Sequence, residues 1–108
     1  MARKTHTFSP QTLDTLIVLG RQISSQRKLL RWTQAEIAIR AGISSGTLQA
    51  IEQGSPTASI GIVFELAHLV GIPLVGATDL TARQLIDSRL ALLPSRVDNP
   101  RTGVNDDF

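Results

Sequence analysis

The chain has 108 residues, of which 42% are hydrophobic and 4% aromatic, and its formal net charge is +2. This length suits one small domain with tails rather than two full domains. The absence of cysteine excludes a disulfide framework and a thiolate metal site, and it fits a reducing cytoplasm better than secretion. No signal-peptide run is present, and the most apolar segment, residues 60–77, is interrupted by Glu65, His68 and Pro73, so we expect neither export nor membrane insertion.

The charges are distributed unevenly along the chain. Residues 1–40 hold seven Lys or Arg and two acids, whereas residues 41–108 hold four Arg and seven acids. A basic front favours a polyanionic partner, although an ordinary solvated surface gives the same imbalance.

The first predicted helix follows a polar N-terminal arm, residues 1–8. Ser9-Pro10 is typical of an N-cap followed by proline at the first helical position. Apolar spacing of three and four residues then predicts a helix over residues 9–30 with one buried stripe. The stripe comprises Leu13, Leu16, Ile17, Gly20, Ile23, Arg27 and Leu30. Because Gly20 has no side chain, another helix is expected to approach closely there.

Residues 32–54 predict two short helices joined by a tight turn. Thr33 and Glu36 have the spacing of a capping box, and Ser44 is a suitable N-cap for the second helix. Gly42 between them supplies the left-handed turn. Apolar side chains are expected to fill the corner or to staple its helix starts: Trp32, Ile37, Ala38, Ile43, Leu48 and Ile51. This is the sequence form of a helix-turn-helix.

A fourth helix is predicted from an N-cap at Ser59 to Gly71. Its inner face would comprise Ile60, Val63, Leu66, Ala67 and Val70. Residues 74–78 then fit either a connector or a short strand.

The last predicted helix opens with a capping box at Thr81 and Gln84 and continues to about Leu93. Its broad apolar surface suits packing on two sides, on the domain and on a second chain, or burial in its own core. Pro94 stops it, and residues 94–108 are expected to form a flexible acidic tail. The domain would therefore span residues 9–93.

In a helix-turn-helix, the N-terminal residues of the second helix meet base edges in the major groove. On the helix over residues 45–52, the outward positions are Ser45, Gly46, Thr47, Gln49 and Ala50. Gln49 suits bidentate bonding to adenine, and Ser45 or Thr47 can bond a base or a phosphate. Since Gly46 and Ala50 offer few polar atoms, much of the affinity is expected from phosphate contacts and DNA shape.

Candidate phosphate contacts lie around the same motif. Gln34, at the first helical position, could anchor a phosphate together with neighbouring amides. Lys28, Arg31 and Arg40 are basic candidates, and each could equally be an ordinary surface cation. The predicted DNA-binding set also includes Ser44, the N-cap of the second helix.

Over residues 19–72 the chain resembles the XRE/Cro-type, or phage-repressor, helix-turn-helix family. The motifs that carry the resemblance include Thr33-Gln34-Ala35-Glu36, Ala41-Gly42-Ile43-Ser44, Thr47-Leu48 and Ile51-Glu52. The resemblance implies a five-helix, all-α fold, here with an extra C-terminal helix or short strand. It also implies that Gln34 binds the DNA backbone, that Ser45, Gly46 and Gln49 face bases, and that Arg27 and Glu52 form an internal ion pair. Gly46 and Ala50 depart from the longer polar groups common in the family and leave the operator sequence open.

The two ends of the chain, residues 9–18 and 79–108, are similar to HipB-type antitoxins. The likeness rests on the long first helix, the late helix and a Leu-Pro-Ser-Arg-Val segment running to Asp-Asp-Phe. It implies a homodimer that represses its own operon and binds a HipA-like serine/threonine kinase toxin. A stand-alone XRE-type regulator is the alternative.

An enzyme is not supported by the residues present. The chain has no Cys, two distant His, no Gly-rich phosphate loop and no HExxH motif, so we expect neither catalysis nor a cofactor or metal site. A protein-interaction adaptor on the same scaffold is the rival from another class. Gln34, Gln49 and the basic front favour DNA instead, and we predict a dimeric repressor on an inverted repeat.

Overall fold

The computed structural model describes residues 6–74 and 80–97, and within these ranges the chain forms helices and turns without a strand. The helices are α1 (Pro10–Leu29), α2 (Gln34–Ala41), α3 (Ser45–Glu52), α4 (Ile60–Val70) and α5 (Leu80–Ala91). The predicted all-α class is confirmed. The connector or strand predicted over residues 74–78 lies almost wholly outside the described residues, as do residues 1–5 of the arm and 98–108 of the tail.

The described residues belong to two compact units, and the first contains α1 to α4. In this unit α1 contacts α3 and α4, and α2 contacts the same two helices. The largest fully buried side chains are Ile23, Ile37, Leu48 and Leu66. Each contributes about 1.5–3 kcal/mol relative to an exposed position. Trp32 and Ile43, which directly precede the N-caps of α2 and α3, pack against this core, as predicted for residues that staple the helix starts.

The start of α1 agrees with the sequence. Ser9 is the N-cap, its hydroxyl accepts a hydrogen bond from the Thr12 amide at 3.2 Å, and Pro10 is the first helical residue. After the helix, Arg31 adopts a φ of 62°, in the left-handed region that side chains other than glycine seldom occupy. This residue turns the chain from α1 toward α2.

The predicted stripe of α1 is buried only in its C-terminal half. Its buried members are Gly20, Ile23 and Arg27. Its most exposed members are Leu13 (37%), Ile17 (41%) and Leu30 (45%). The expectation of one continuous buried stripe is wrong, because α1 is about 30 Å long while the helices that contact it, α3 and α4, are about 12 Å and about 17 Å long. Leu30 is the C-cap and lies beyond the last helical residue of α1. The N-terminal half of α1 instead borders an apolar groove, whose lining includes Phe8, Leu16, Pro56 and Phe64.

The fourth helix buries its predicted face except at the first residue. Val63, Leu66, Ala67 and Val70 are buried, whereas Ile60 is 70% exposed and lines the same groove. Ser59 is the N-cap, but its hydroxyl makes no capping hydrogen bond. Its ψ is 130°, whereas the three N-caps that do form this bond have ψ values of 156°, 162° and 157°.

The second compact unit contains α5. This helix begins at Leu80, so Thr81 lies in its first turn rather than at the predicted N-cap, and it ends at Ala91. The side chains of Leu85, Ile86 and Leu90 are 65%, 58% and 60% exposed. The α5 unit by itself does not cover these three side chains, and the choice between packing on two sides and burial in a core stays a prediction. No helix of the described residues has the length and apolar character needed to cross a membrane.

Gly20 lies so close to the backbone of α3 that a side chain does not fit there. A Cβ at this residue would lie 2.5 Å from the carbonyl oxygen of Ile51 and 2.6 Å from that of Glu52. We expect Gly20→Ala to lower the free energy of unfolding by about 2 kcal/mol, because backbone rather than a flexible side chain must move. Urea denaturation followed by circular dichroism measures this difference.

Gly46 in α3 is the matched control, since the nearest atom to a Cβ there is the Ser44 hydroxyl at 3.8 Å. Gly46→Ala is expected to raise the free energy of unfolding by up to about 1 kcal/mol through helix propensity. Equal effects of the two substitutions would contradict the close approach at Gly20.

Candidate nucleic-acid interface

The turn between α2 and α3 closes by backbone hydrogen bonds around a left-handed glycine. Gly42 has a φ of 72°, and its amide donates to the Ile39 carbonyl at 3.1 Å. The Ile43 amide donates to the Ala38 carbonyl at 2.9 Å, which completes a Schellman motif. The predicted turn is confirmed, and it sets the direction in which α3 leaves α2.

The capping box of α2 is also formed. The Thr33 hydroxyl accepts from the Glu36 amide at 3.1 Å, and the Glu36 carboxylate accepts from the Thr33 amide at 2.8 Å. The bonds from the Thr33 amide and hydroxyl hold the pKa of Glu36 below its ordinary value. Both polar groups at this helix start are therefore engaged within the protein.

At the start of α3, Ser44 and Thr47 are bonded to each other. The Ser44 hydroxyl accepts from the Thr47 amide at 3.0 Å and donates to the Thr47 hydroxyl oxygen at 3.0 Å. Ser44 is thus the N-cap predicted for it, and its hydrogen bonds lie within the helix. Thr47 retains its hydroxyl proton, so toward an external group it is a hydrogen-bond donor.

The outward face of α3 is fully accessible. Its exposed residues are Ser45, Gly46, Thr47, Gln49 and Ala50. Within the described residues the Gln49 amide has no hydrogen-bond partner, so its donor and acceptor are both available to a base edge. The face carries few polar atoms, as its sequence indicates.

Arg27 and Glu52 form a buried ion pair behind this face. The Arg27 Nε and Nη2 atoms donate to the two Glu52 carboxylate oxygens at 2.7 Å and 3.1 Å, and the two residues are 7% and 4% exposed. Arg27 Nη1 also donates to the Trp32 carbonyl at 2.9 Å. Burial raises the pKa of Glu52, but hydrogen bonds from Arg27, Gln34 and Ser24 and the charge of Arg27 outweigh it and leave that pKa below its ordinary value.

Gln34 lies at the first position of α2 and contacts the same cluster. Its Nε2 atom donates to Glu52 Oε1 at 3.1 Å, and the side chain is half-buried. The candidate phosphate ligand at this position is therefore already attached to the end of α3. Sequence reasoning missed this bond, because the two residues are 18 positions apart and share no helix.

The three basic candidates, Lys28, Arg31 and Arg40, are exposed. Arg40 is further restrained, because its guanidinium lies 4.6 Å from the centre of the Trp32 ring. Sequence analysis missed this contact as well, since a spacing of eight residues across a helix start gives no local signal. Among the described residues, no group of three His, Asp or Glu could hold a metal ion.

A tight turn between two short helices, a braced second helix and an exposed polar edge define a helix-turn-helix nucleic-acid-binding domain. The helix-turn-helix family model matches residues 23–76, half of the chain, and the protein belongs to this XRE-type family. It is therefore a DNA-binding regulator of the XRE type. A comparison with curated proteins gives no significant match.

The buried pair makes a specific stability prediction. Arg27→Ala leaves the Glu52 carboxylate buried without its partner, so the free energy of unfolding is expected to fall by about 3–5 kcal/mol. Thermal and urea denaturation at neutral pH measure the loss.

Arg21→Ala is the matched control, because this exposed arginine makes a single 3.4 Å bond to the Glu52 backbone carbonyl. The free energy of unfolding of Arg21→Ala is expected to fall by less than about 1 kcal/mol. The contribution of the pair is fully present above the ordinary glutamate pKa and is lost as the pH falls through the lowered pKa of Glu52, so the cost of Arg27→Ala should shrink in acid. A cost that stays constant in acid would contradict the assignment to Glu52.

Proposed function

We propose that the protein is a transcriptional repressor that binds an inverted-repeat operator as a homodimer. The observation that carries this proposal is the exposed N-terminal half of α3, presented by a helix whose C-terminal end is held in the buried Arg27–Glu52 pair. A recognition helix held at one end and free at the other can enter the major groove without losing its orientation.

Base contacts are proposed for the exposed edge of α3. Gln49 would bond an adenine through its free amide, and Thr47 would donate to a base acceptor or a phosphate. Ser45 and Gly46 would lie against the groove, and Ser44 would act mainly through its cap. Gly46 leaves room for close approach of the DNA to the α3 backbone.

Phosphate contacts are proposed for Gln34, Lys28, Arg31 and Arg40. Lys28 is exposed in the last turn of α1, and Arg31 is exposed in the turn that leads to α2, whose first amides also favour an anion. The stacking of Arg40 on Trp32 would hold its guanidinium in place before DNA binds.

The homodimer is proposed to form through α5. Leu85, Ile86 and Leu90 are more than half exposed, and an isolated helix of 12 residues is marginal in water. Pairing with α5 of a second copy would cover them and supply the twofold symmetry that an inverted repeat requires. An inverted repeat with half-sites one turn of DNA apart would require the two recognition helices to lie about 34 Å apart.

An antitoxin role is the finer form of this proposal. The similarity of residues 9–18 and 79–108 to HipB-type proteins supports a HipA-like kinase as partner, and a stand-alone XRE-type regulator is the alternative. Co-purification with the protein encoded by the neighbouring gene tests the role. A neighbour unrelated to kinases would remove its main support.

The repressor proposal predicts binding to the DNA upstream of the protein's own gene. In a gel shift on that duplex, we expect salt-sensitive binding by the wild type and a loss of about ten- to a hundredfold in Gln34→Ala plus Gln49→Ala. Gln22→Ala, an exposed glutamine of α1 away from the motif, is the control and should bind like the wild type.

The salt dependence separates two kinds of contact. Lys28→Ala or Arg31→Ala is expected to reduce the slope of log K against log salt by about 1, whereas the neutral Gln34→Ala leaves the slope unchanged. Salt-insensitive or absent binding by the wild type would contradict the repressor and favour the adaptor.

The dimer proposal predicts that replacing exposed apolar residues of α5 by charged ones dissociates the dimer into monomers. Leu85→Lys together with Leu90→Lys is expected to halve the mass measured by light scattering after size exclusion. Ser88→Lys, at an exposed polar position of the same helix, adds charge without removing apolar surface and should leave the mass unchanged. A wild-type mass of one chain would rule out the dimer.

A further inference from the structure

The half-buried amide of Gln34 has only one orientation compatible with its neighbour. Its Nε2 atom lies 3.1 Å from Glu52 Oε1, and the pKa of Glu52 is low enough to keep this carboxylate ionised at neutral pH. An ionised carboxylate only accepts hydrogen bonds, so the nitrogen of Gln34 and not its oxygen must face Glu52. The orientation of the amide therefore follows from the charge of its neighbour.

Glu52 cannot turn away from this contact. Both of its carboxylate oxygens accept from Arg27, at 2.7 Å and 3.1 Å, and Arg27 is itself bonded to the Trp32 carbonyl at 2.9 Å. The carboxylate is thus held by a planar group anchored to the backbone at the start of α2. Because the Gln34 amide is bonded to this carboxylate, its orientation is restrained in the free protein.

The same nitrogen has a second N–H. Within the described residues this proton has no hydrogen-bond partner, and neither does the oxygen of the Gln34 side-chain amide, Oε1. The donor lies at the first residue of α2, beside backbone amides that are also free at a helix start.

We propose that Glu52 is a positioning residue for DNA: by taking one proton of the Gln34 amide, it aims the other at a backbone phosphate. This rests on the proposed phosphate contact of Gln34. A pre-set amide loses little side-chain freedom on binding, and it cannot present its oxygen, which would repel the phosphate.

Neutralising Glu52 changes the DNA affinity in opposite directions under the two explanations, positioning of Gln34 and simple electrostatics. Loss of an acid next to DNA should strengthen binding if charge alone matters. In Glu52→Gln, both ends of the new amide face Arg27, so its NH₂ opposes an Arg27 N–H in either orientation. The group that holds the Gln34 amide is then neutral and no longer paired on both sides, and the Gln34 N–H loses its fixed direction. Positioning therefore predicts weaker binding.

The test is a double-mutant cycle on duplex DNA from upstream of the protein's own gene, read by fluorescence anisotropy at fixed salt. The four proteins are the wild type, Gln34→Ala, Glu52→Gln and the double variant. Glu52→Gln is expected to weaken binding about three- to tenfold in the wild-type background and not to weaken it in the Gln34→Ala background.

Two results would overturn the proposal. The first is that Glu52→Gln weakens DNA binding equally in both backgrounds, which would indicate a general structural effect. The second is that Glu52→Gln does not weaken DNA binding in the wild-type background. Wild-type affinity of Gln34→Ala would instead refute the phosphate contact itself, so the two failures are distinguishable.

A measurement on the wild type keeps the proposal testable if Glu52→Gln does not fold. Nitrogen-15 relaxation of side-chain amides in the free protein compares Gln34 with Gln49, which is exposed and unpaired among the described residues. The Gln34 amide is expected to be ordered like the backbone and that of Gln49 to be mobile. Equal mobility of the two amides would overturn the proposal.

Discussion

The buried pair of Arg27 and Glu52 is the interaction on which the helix-turn-helix depends. Arg27 is near the end of α1, Glu52 ends α3, and the Trp32 carbonyl and Gln34 amide that join them belong to the start of α2. Three helices therefore meet at one hydrogen-bonded cluster. Both charges are almost fully removed from water, so the desolvation cost offsets much of their attraction. The pair therefore contributes mainly by fixing the geometry of the three helices, and loss of one partner costs more than the intact pair contributes.

The position of this cluster explains how α3 can be rigid and exposed at once. Its C-terminal residues Ile51 and Glu52 are buried, and their carbonyl oxygens lie directly against Gly20 of α1. Its N-terminal residues are exposed on the outer face, and they are held by the Ser44 cap, the Schellman turn and the buried Leu48 side chain on the inner face. The helix is thus fixed at one end and accessible at the other, the arrangement that groove binding requires.

Local sequence determined most of the first unit. The caps at Ser9, Thr33 and Ser44 and the turn at Gly42 involve groups no more than five residues apart, so residue type and spacing are enough to predict them. The close approach at Gly20 was also predictable, because a residue without a side chain on an apolar stripe indicates close packing of another helix. The Arg27–Glu52 contact was implied only by family resemblance, since nothing local connects residues 25 positions apart.

Tertiary structure alone decided where burial stops and which polar groups meet. Leu13, Ile17 and Ile60 follow the apolar period of buried residues, yet they are 37%, 41% and 70% exposed. Periodicity does not tell how far the neighbouring elements cover a helix. The bond from Gln34 to Glu52 and the stacking of Arg40 on Trp32 arise from the angles between helices, which periodicity does not encode. The sequence by itself thus determined the helices, their caps and the outward edge of α3. Only the folded chain brought the phosphate candidate Gln34 into the charged cluster, because such contacts depend on distances between elements far apart in sequence.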